Sequence, residues 1–294
     1  VTSDLSFFDP ALVEWAEPGD RTADYCLWDY APLSPMEGKF RQSMLLFHAL
    51  DVAGCDKRIA EAVRLIRSEI GAFRTVWGVK LAGGKVSTEL YFYDYARLER
   101  DVSIRRVLQA LSPLVACDLK ASELRPYFMA SVELDDSVVT SRCLTEIDVY
   151  MGSPGASVSA GTCHALTTQG LSFKNFYFFF DALRDMEDIA AKIACSAHLD
   201  LPGLRIEDIL WPQLVDCSVI VVANKRSGDG VYFSRIRVEQ LIFFLERLHY
   251  PPRLVAAISA NRGRLDHLLF DVGFDYVMRD GRVSITKSAF YGIV

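Results

Sequence analysis

The C-terminal stretch RDGRVSITKSAFYGIV (279–294) sets a lysine among apolar neighbours, with a tyrosine four residues later. Asp280-Gly281 reads as a two-residue hairpin turn, because both residues accept the positive φ that such turns need. The strand that follows alternates, so Val283, Ile285, Lys287, Ala289 and Tyr291 share one face. A lysine is rarely buried without a partner, so this face meets either water or an anion. Further candidates lie upstream. Glu89 shares a strand face with Ser87, Tyr91 and Tyr93; it is either a proton acceptor or the partner of Lys80 or Lys85 across a hairpin. Glu133, beside Ser131 and Asp135, is a second carboxylate for acid–base work. Lys80 either points inward with Val76 and Gly78 or is solvated near its turn. Arg142 shares a face with Leu144, Glu146 and Asp148, where it binds an anion or pairs with those carboxylates. Trp77 and Tyr232 either wall a pocket or pack in a core.

Several other chemistries find no support. The five histidines (48, 164, 198, 249, 267) show no HxxxH or HExxH spacing, so no zinc site is expected. There is no Walker motif, no GxGxxG and no GxSxG. The acidic runs ELDD (133–136) and RDMED (184–188) read as solvated or capping groups rather than magnesium ligands. A net charge of −6 argues against a broad nucleic-acid surface. Seven scattered cysteines without a CxxC pair suit reduced thiols and a cytoplasmic setting. Asp4, Asp9 and Glu14 interrupt the first residues, unlike a signal peptide, and the longest apolar runs are too short to span a bilayer. With 18 Phe, 12 Tyr and 4 Trp, the chain has either a large β-rich core or an aromatic-lined cavity.

The elements that must position these residues follow from periodicity. Residues 1–37 are irregular, with Pro10, Pro18, Pro32 and Pro35 as breakers, and are expected to pack on a single domain formed by 38–294. Helical spacing of Ile59, Val63, Ile66 and Ile70 predicts a helix, separated by Gly54 from one before it. Hairpins are predicted at 75–94, 127–151, 161–180, 230–248 and 267–292. Helices are predicted around Leu98–Val115, after an N-cap at Asp181, and around 252–263, while 205–227 reads as strand or helix. Ten antiparallel strands in one domain close most economically into a barrel, since closure removes edges. The expected fold is therefore α+β, a ten-stranded antiparallel barrel coated by helices, with an inner face free to be polar and aromatic.

This succession resembles the ABBA prenyltransferases, and within them the cyanobactin branch that prenylates ribosomal peptides. Three stretches carry the resemblance: GKVSTELYFYD (84–94), YFSRIRVEQLIFFL (232–245) and ITKSAFYG (285–292). It implies transfer of a dimethylallyl or geranyl group from an allylic diphosphate to a peptide or an aromatic or nitrogen nucleophile. It implies that Lys287, with Arg142 and Lys80, binds diphosphate, and that Tyr291, Tyr91, Tyr232 and Trp77 line the prenyl and acceptor pocket. Glu89 or Glu133 would then take the nucleophile's proton. No tightly bound cofactor is implied, with Mg2+ admissible beside the diphosphate.

The sequence departs from that pattern. Val76 stands where the branch has a catalytic glutamate, Glu89 or Leu90 where it has an arginine, and Leu144 where it has a lysine. Tyr91 replaces an aspartate that binds metal in the wider family. Two other readings stay open: a catalytically altered barrel that binds a peptide or small hydrophobic ligand, and a barrel driven by two carboxylates of unlike pKa.

Overall fold

A computed structural model describes residues 5–97, 100–153, 159–200 and 203–294. Its centre is a closed barrel of ten antiparallel strands. These are β1 (Thr75–Ala82), β2 (Lys85–Tyr93), β3 (Tyr127–Leu134), β4 (Ile147–Ser153), β5 (Ser159–Thr167), β6 (Gly170–Asp181), β7 (Val219–Lys225), β8 (Asp229–Ile236), β9 (Phe270–Arg279) and β10 (Arg282–Ile293). Each strand pairs with its sequence neighbours, and β1 pairs with β10 from Val76↔Ile293 to Leu81↔Ser288, which closes the cylinder. The turns are locally encoded. Gly83 and Gly84 take φ of 56° and 77° between β1 and β2, and Asp280 and Gly281 take 51° and 70° between β9 and β10.

The helices are α1 (Ser43–Val52), α2 (Lys57–Ile70), α3 (Ile104–Leu111), α4 (Asp136–Ser141), α5 (Met186–Ala194), α6 (Val238–Arg247) and α7 (Pro252–Ala260). In α2 the Asp56 side chain accepts from the Arg58 amide, and the helix ends at Gly71 with φ of 104°. Its stripe Ile59, Ala62, Val63, Ile66 and Ile70 is buried, each large side chain contributing about 1.5–3 kcal/mol. The helices pack on the outward strand residues, among them Trp77, Val79, Leu90, Phe233, Phe274 and Phe290, to form the main hydrophobic core outside the barrel wall. A second apolar cluster, with Val76, Tyr93, Phe128, Tyr150 and Tyr291, lies inside it.

Several local expectations are corrected. The fourth hairpin is β7–β8, joined across Lys225–Asp229, and not a hairpin within 230–248. The segment after Ile236 is helix α6, because Val238, Leu241, Phe244 and Leu245 recur at helical spacing and are buried on one side. SRCLTEIDVY is a strand only from Ile147; its first residues form the end of α4 and a connecting loop. Asp181 accepts from the amides of Leu183 and Arg184, yet α5 starts only at Met186, and Leu183 is exposed. The third helix runs only from Ile104 to Leu111; Leu98 lies outside the described residues. Residues 154–158 of the short link between hairpins two and three also lie outside them. Between β10 and β9 the register shifts at Ile285/Lys287. Ile285 therefore packs with the outer core, while Lys287 faces inward opposite Asp275, so the two do not share a face.

Candidate functional site

The barrel interior divides into two chambers. The inner one, about 60 Å³, is lined by side chains such as Tyr93, Phe128, Met129 and Phe179 and is floored by Tyr25 and Cys26. The outer one, about 330 Å³, is lined by charged residues of the opposite strand ends. Tyr91, Tyr150, Tyr177, Tyr232 and Tyr291 line both and form a collar between them. Consecutive rings lie close: Tyr150–Tyr177 at 5.9 Å, Tyr177–Tyr232 at 6.3 Å, Tyr232–Tyr291 at 6.4 Å and Tyr291–Tyr91 at 6.0 Å. Polar bonds complete the circuit. Tyr91 donates to Glu89 Oε2 at 2.7 Å, Ser131 donates to Glu89 Oε1, and Ser131 Oγ lies 3.5 Å from the Tyr150 hydroxyl. Strand register explains the ring, since Tyr91 lies opposite Ser131, Tyr150 opposite Cys163, and Tyr232 opposite Gly273. Gly78 and Gly273 leave the space: a Cβ would meet Tyr291 Cε1 at 2.7 Å and Tyr232 Cδ1 at 2.2 Å respectively. Burial pushes the five tyrosine hydroxyls well above their usual range, so the collar is neutral.

The floor belongs to the N-terminal segment. Asp271 accepts from the Tyr25 amide at 2.9 Å, from Ser234 and from the Arg235 amide at 3.0 Å. Arg235 in turn bonds Asp24 at 2.9 Å, and the Tyr93 hydroxyl donates to the Tyr25 carbonyl. These bonds tie a segment of irregular backbone across one end of the cylinder.

The outer chamber holds four lysines, and each is ion-paired. Lys80 contacts Glu89 and reaches Glu133 at 2.9 Å. Lys174 reaches Glu146 at 2.9 Å and Asp148 at 2.8 Å. Lys225 and Lys287 share Asp275, at 2.6 Å and 3.2 Å, and Lys225 also donates to the Tyr232 hydroxyl at 2.8 Å. The neighbourhoods push the carboxylates apart. Burial would raise Glu89, but the Lys80 ammonium and the bonds from Ser131 and Tyr91 hold it at about 2. Burial and the nearby Glu89 charge push Asp148 up to about 6, against the pull of Lys174. Burial likewise draws the Lys225 ammonium below the usual lysine range despite Asp275. Breaking one of the buried pairs would leave an uncompensated charge, at about 3–5 kcal/mol.

The structure thus gathers Glu89, Lys80, Lys287, Tyr91, Tyr232 and Tyr291 around one lumen, with the half-exposed Glu133 at its rim. Two expected residues are elsewhere. Trp77 points outward beneath the helices, with its indole N–H donating to the Ile293 carbonyl at 3.1 Å; on β1 the residues that face inward are Val76, Gly78 and Lys80. Arg142 is not on a strand: it ends α4 in a left-handed conformation, is exposed, and donates to the Pro113 carbonyl. Sequence reasoning missed Lys174, Lys225, Asp275, Tyr150 and Tyr177 as site residues. Alternation signalled some of them: Asp271, Gly273 and Asp275 are spaced by two in FDVGFDYV, as are Asn175, Tyr177 and Phe179 in NFYFFF. Lys225 was hidden because its segment read equally as helix.

No protein-family model matches the chain, and no curated protein matches it. Among the described residues no helix is long and apolar enough to cross a membrane, and no group of three or more His, Cys, Asp or Glu side chains is arranged to hold a metal ion.

Proposed function

We propose that this barrel transfers a short prenyl group, dimethylallyl in preference to geranyl, from its allylic diphosphate to a nucleophile on a peptide or small aromatic or nitrogenous acceptor. Such a reaction belongs to the maturation of ribosomally made peptides. The observation that carries the reading is the tyrosine collar standing between an apolar chamber and a lysine-bearing one. The diphosphate would lie among Lys80, Lys174, Lys225 and Lys287, with the hydrocarbon directed through the collar. The inner chamber, at about 60 Å³, has room for about two waters at their liquid share of roughly 30 Å³ each, a volume that suits a five-carbon chain better than a ten-carbon one.

In the transfer the C1–O bond of the donor breaks and diphosphate leaves with the bonding pair, its growing charge met by the lysines. The allylic cation is sheltered by aromatic faces, each contributing about 0.5–2 kcal/mol when water is excluded. A lone pair of the acceptor then forms the bond to C1, and the acceptor loses a proton. Asp148, held near neutrality, is better matched to take that proton than Glu89, which Lys80 keeps strongly acidic. Glu89 serves instead to orient Tyr91 and Lys80. The test is mass spectrometry of peptides and amino-acid amides after incubation with dimethylallyl or geranyl diphosphate. A five-carbon adduct that disappears in Tyr291→Ala supports the reading. Absence of any adduct, together with absence of diphosphate binding, overturns it.

The second reading is a barrel that binds a ligand without transfer. It draws on the pairing of every outer-chamber lysine with a carboxylate, which lowers the affinity for an anion alone.

A further inference from the structure

The outer chamber sets each of its lysines against a carboxylate. Lys80, Lys174, Lys225 and Lys287 face Glu89, Glu133, Asp148 and Asp275 across a space of about 330 Å³, with Arg226 at the exposed rim. A diphosphate entering alone must draw lysines from their carboxylates. Asp275 is the clearest case, because Lys225 and Lys287 both depend on it. Asp148 would keep only whatever share of Lys174 the phosphate leaves, with Glu146 competing for the same ammonium. The chamber would then hold several buried carboxylates beside an added polyanion, an arrangement that repels itself unless a cation enters with it.

We infer that the acceptor is cationic, an amine or a guanidinium, and that its charge occupies the carboxylates from which the donor's diphosphate draws the lysines. This rests on the prenyl-transfer reading and names its substrate class. Each ligand completes the site for the other, so donor and acceptor bind with positive coupling, equal in both directions. The chemistry balances. The bound ammonium or guanidinium gives one proton to Asp148, and the lone pair so freed forms the N–C1 bond as the C1–O bond breaks. Diphosphate departs with the bonding pair, the nitrogen keeps one positive charge, and Asp148 returns its proton to solvent. The raised pKa of Asp148 suits that exchange.

The test is calorimetry on the full chain with dimethylallyl thiolodiphosphate, whose C–S bond resists ionisation. It is titrated at fixed magnesium with and without Nα-acetylarginine amide, Nα-acetyllysine amide or the neutral isostere Nα-acetylcitrulline amide. A cationic probe should tighten donor binding about tenfold or more, within the usual range of coupling between linked sites, and the donor should tighten the cationic probe equally. Citrulline should do neither. Asp148→Asn and the rim variant Glu133→Gln, each checked for native circular dichroism, should bind the donor alone more tightly and lose most of the coupling. Equal donor affinity with all three probes, coupling as large with citrulline, or tightening produced by magnesium alone would overturn the cationic acceptor while leaving prenyl transfer standing. Absence of donor binding under every condition would overturn both.

Discussion

Replacing Lys80 by methionine should destabilise the protein in a pH-dependent way. The Lys80 ammonium contacts Glu89 and lies 2.9 Å from Glu133, and the Glu89 side chain is almost wholly buried. The Glu89 carboxyl falls from its ordinary 4.5 to about 2. At about 1.4 kcal/mol per tenfold change, that corresponds to about 3 kcal/mol of folding stability at neutral pH. The folded carboxyl titrates below the unfolded one, so this contribution is complete above pH 4.5 and is lost as pH falls from 4.5 towards 2. In Lys80→Met the carboxylate stays buried without its cation, and burial now pushes it above 4.5. Its penalty then grows as pH rises and vanishes in acid. The expected loss at pH 7.5 is about 3–5 kcal/mol, the usual consequence of breaking a buried pair, and it should be smaller at pH 5, where the variant's carboxylate penalty has faded while the wild-type pair still contributes. Urea denaturation of wild type, Lys80→Met, Glu89→Gln and the double variant at both pH values measures this. The double variant should recover at least half of the single-variant loss, because no buried charge is left orphaned at residue 89. A loss below about 1 kcal/mol at pH 7.5, or the same loss at pH 7.5 and pH 5, would refute the reading of Lys80 and Glu89 as a buried ion pair that stabilises the fold.

Three further outcomes follow from the geometry. If Asp148 accepts the acceptor's proton, the single-turnover transfer rate should rise with pH through about 6, where Asp148 ionises, its carboxyl raised by burial and by the Glu89 and Glu146 charges against the pull of Lys174; Asp148→Asn should flatten that limb and slow the reaction about 10²–10⁴-fold. Gly273→Ala puts a methyl group 2.2 Å from Tyr232 Cδ1, so urea denaturation should register a loss of about 1–3 kcal/mol and calorimetry a weaker donor. Trp77→Ala should cost about 3–5 kcal/mol by opening the outer core. Neither it nor Arg142→Ala should change donor affinity per folded molecule by more than about twofold, since both side chains lie outside the lumen.

How much of this was legible depends on the range over which each feature is specified. Glu89 was readable as a site residue because strand alternation is strict there and sets it with Tyr91 and Tyr93. For Lys287 alternation left water and an anion both open, and it also set the wrong neighbours beside it. The bulge after Ile285 breaks the period, and only pairing with β9 shows that Ile285 packs outward while Lys287 meets Asp275. Arg142 was misplaced because TSRCLTEI mixes strand formers with a helix end. Its left-handed backbone, at φ of 54°, follows from the end of α4 and not from any periodic signal. Trp77 sits on the correct strand with its neighbours on the correct faces; an aromatic type suggested a pocket, whereas its parity puts it among the helices.

What the chain carries locally is the inventory of parts. Glycine and aspartate turns, helix caps at Asp56 and Ser103, and two-residue alternation specify most of the strands and helices from interactions within a few residues. Closure of β1 on β10 joins residues more than two hundred positions apart, and the pairing of β9 with β8 and β10 brings Lys225 and Lys287 to the same carboxylate, Asp275. The collar, the floor made by Tyr25 and Cys26, and the division of pKa between Glu89 and Asp148 all depend on such contacts. Burial and charge proximity are properties of the folded cylinder, and no window of sequence contains them.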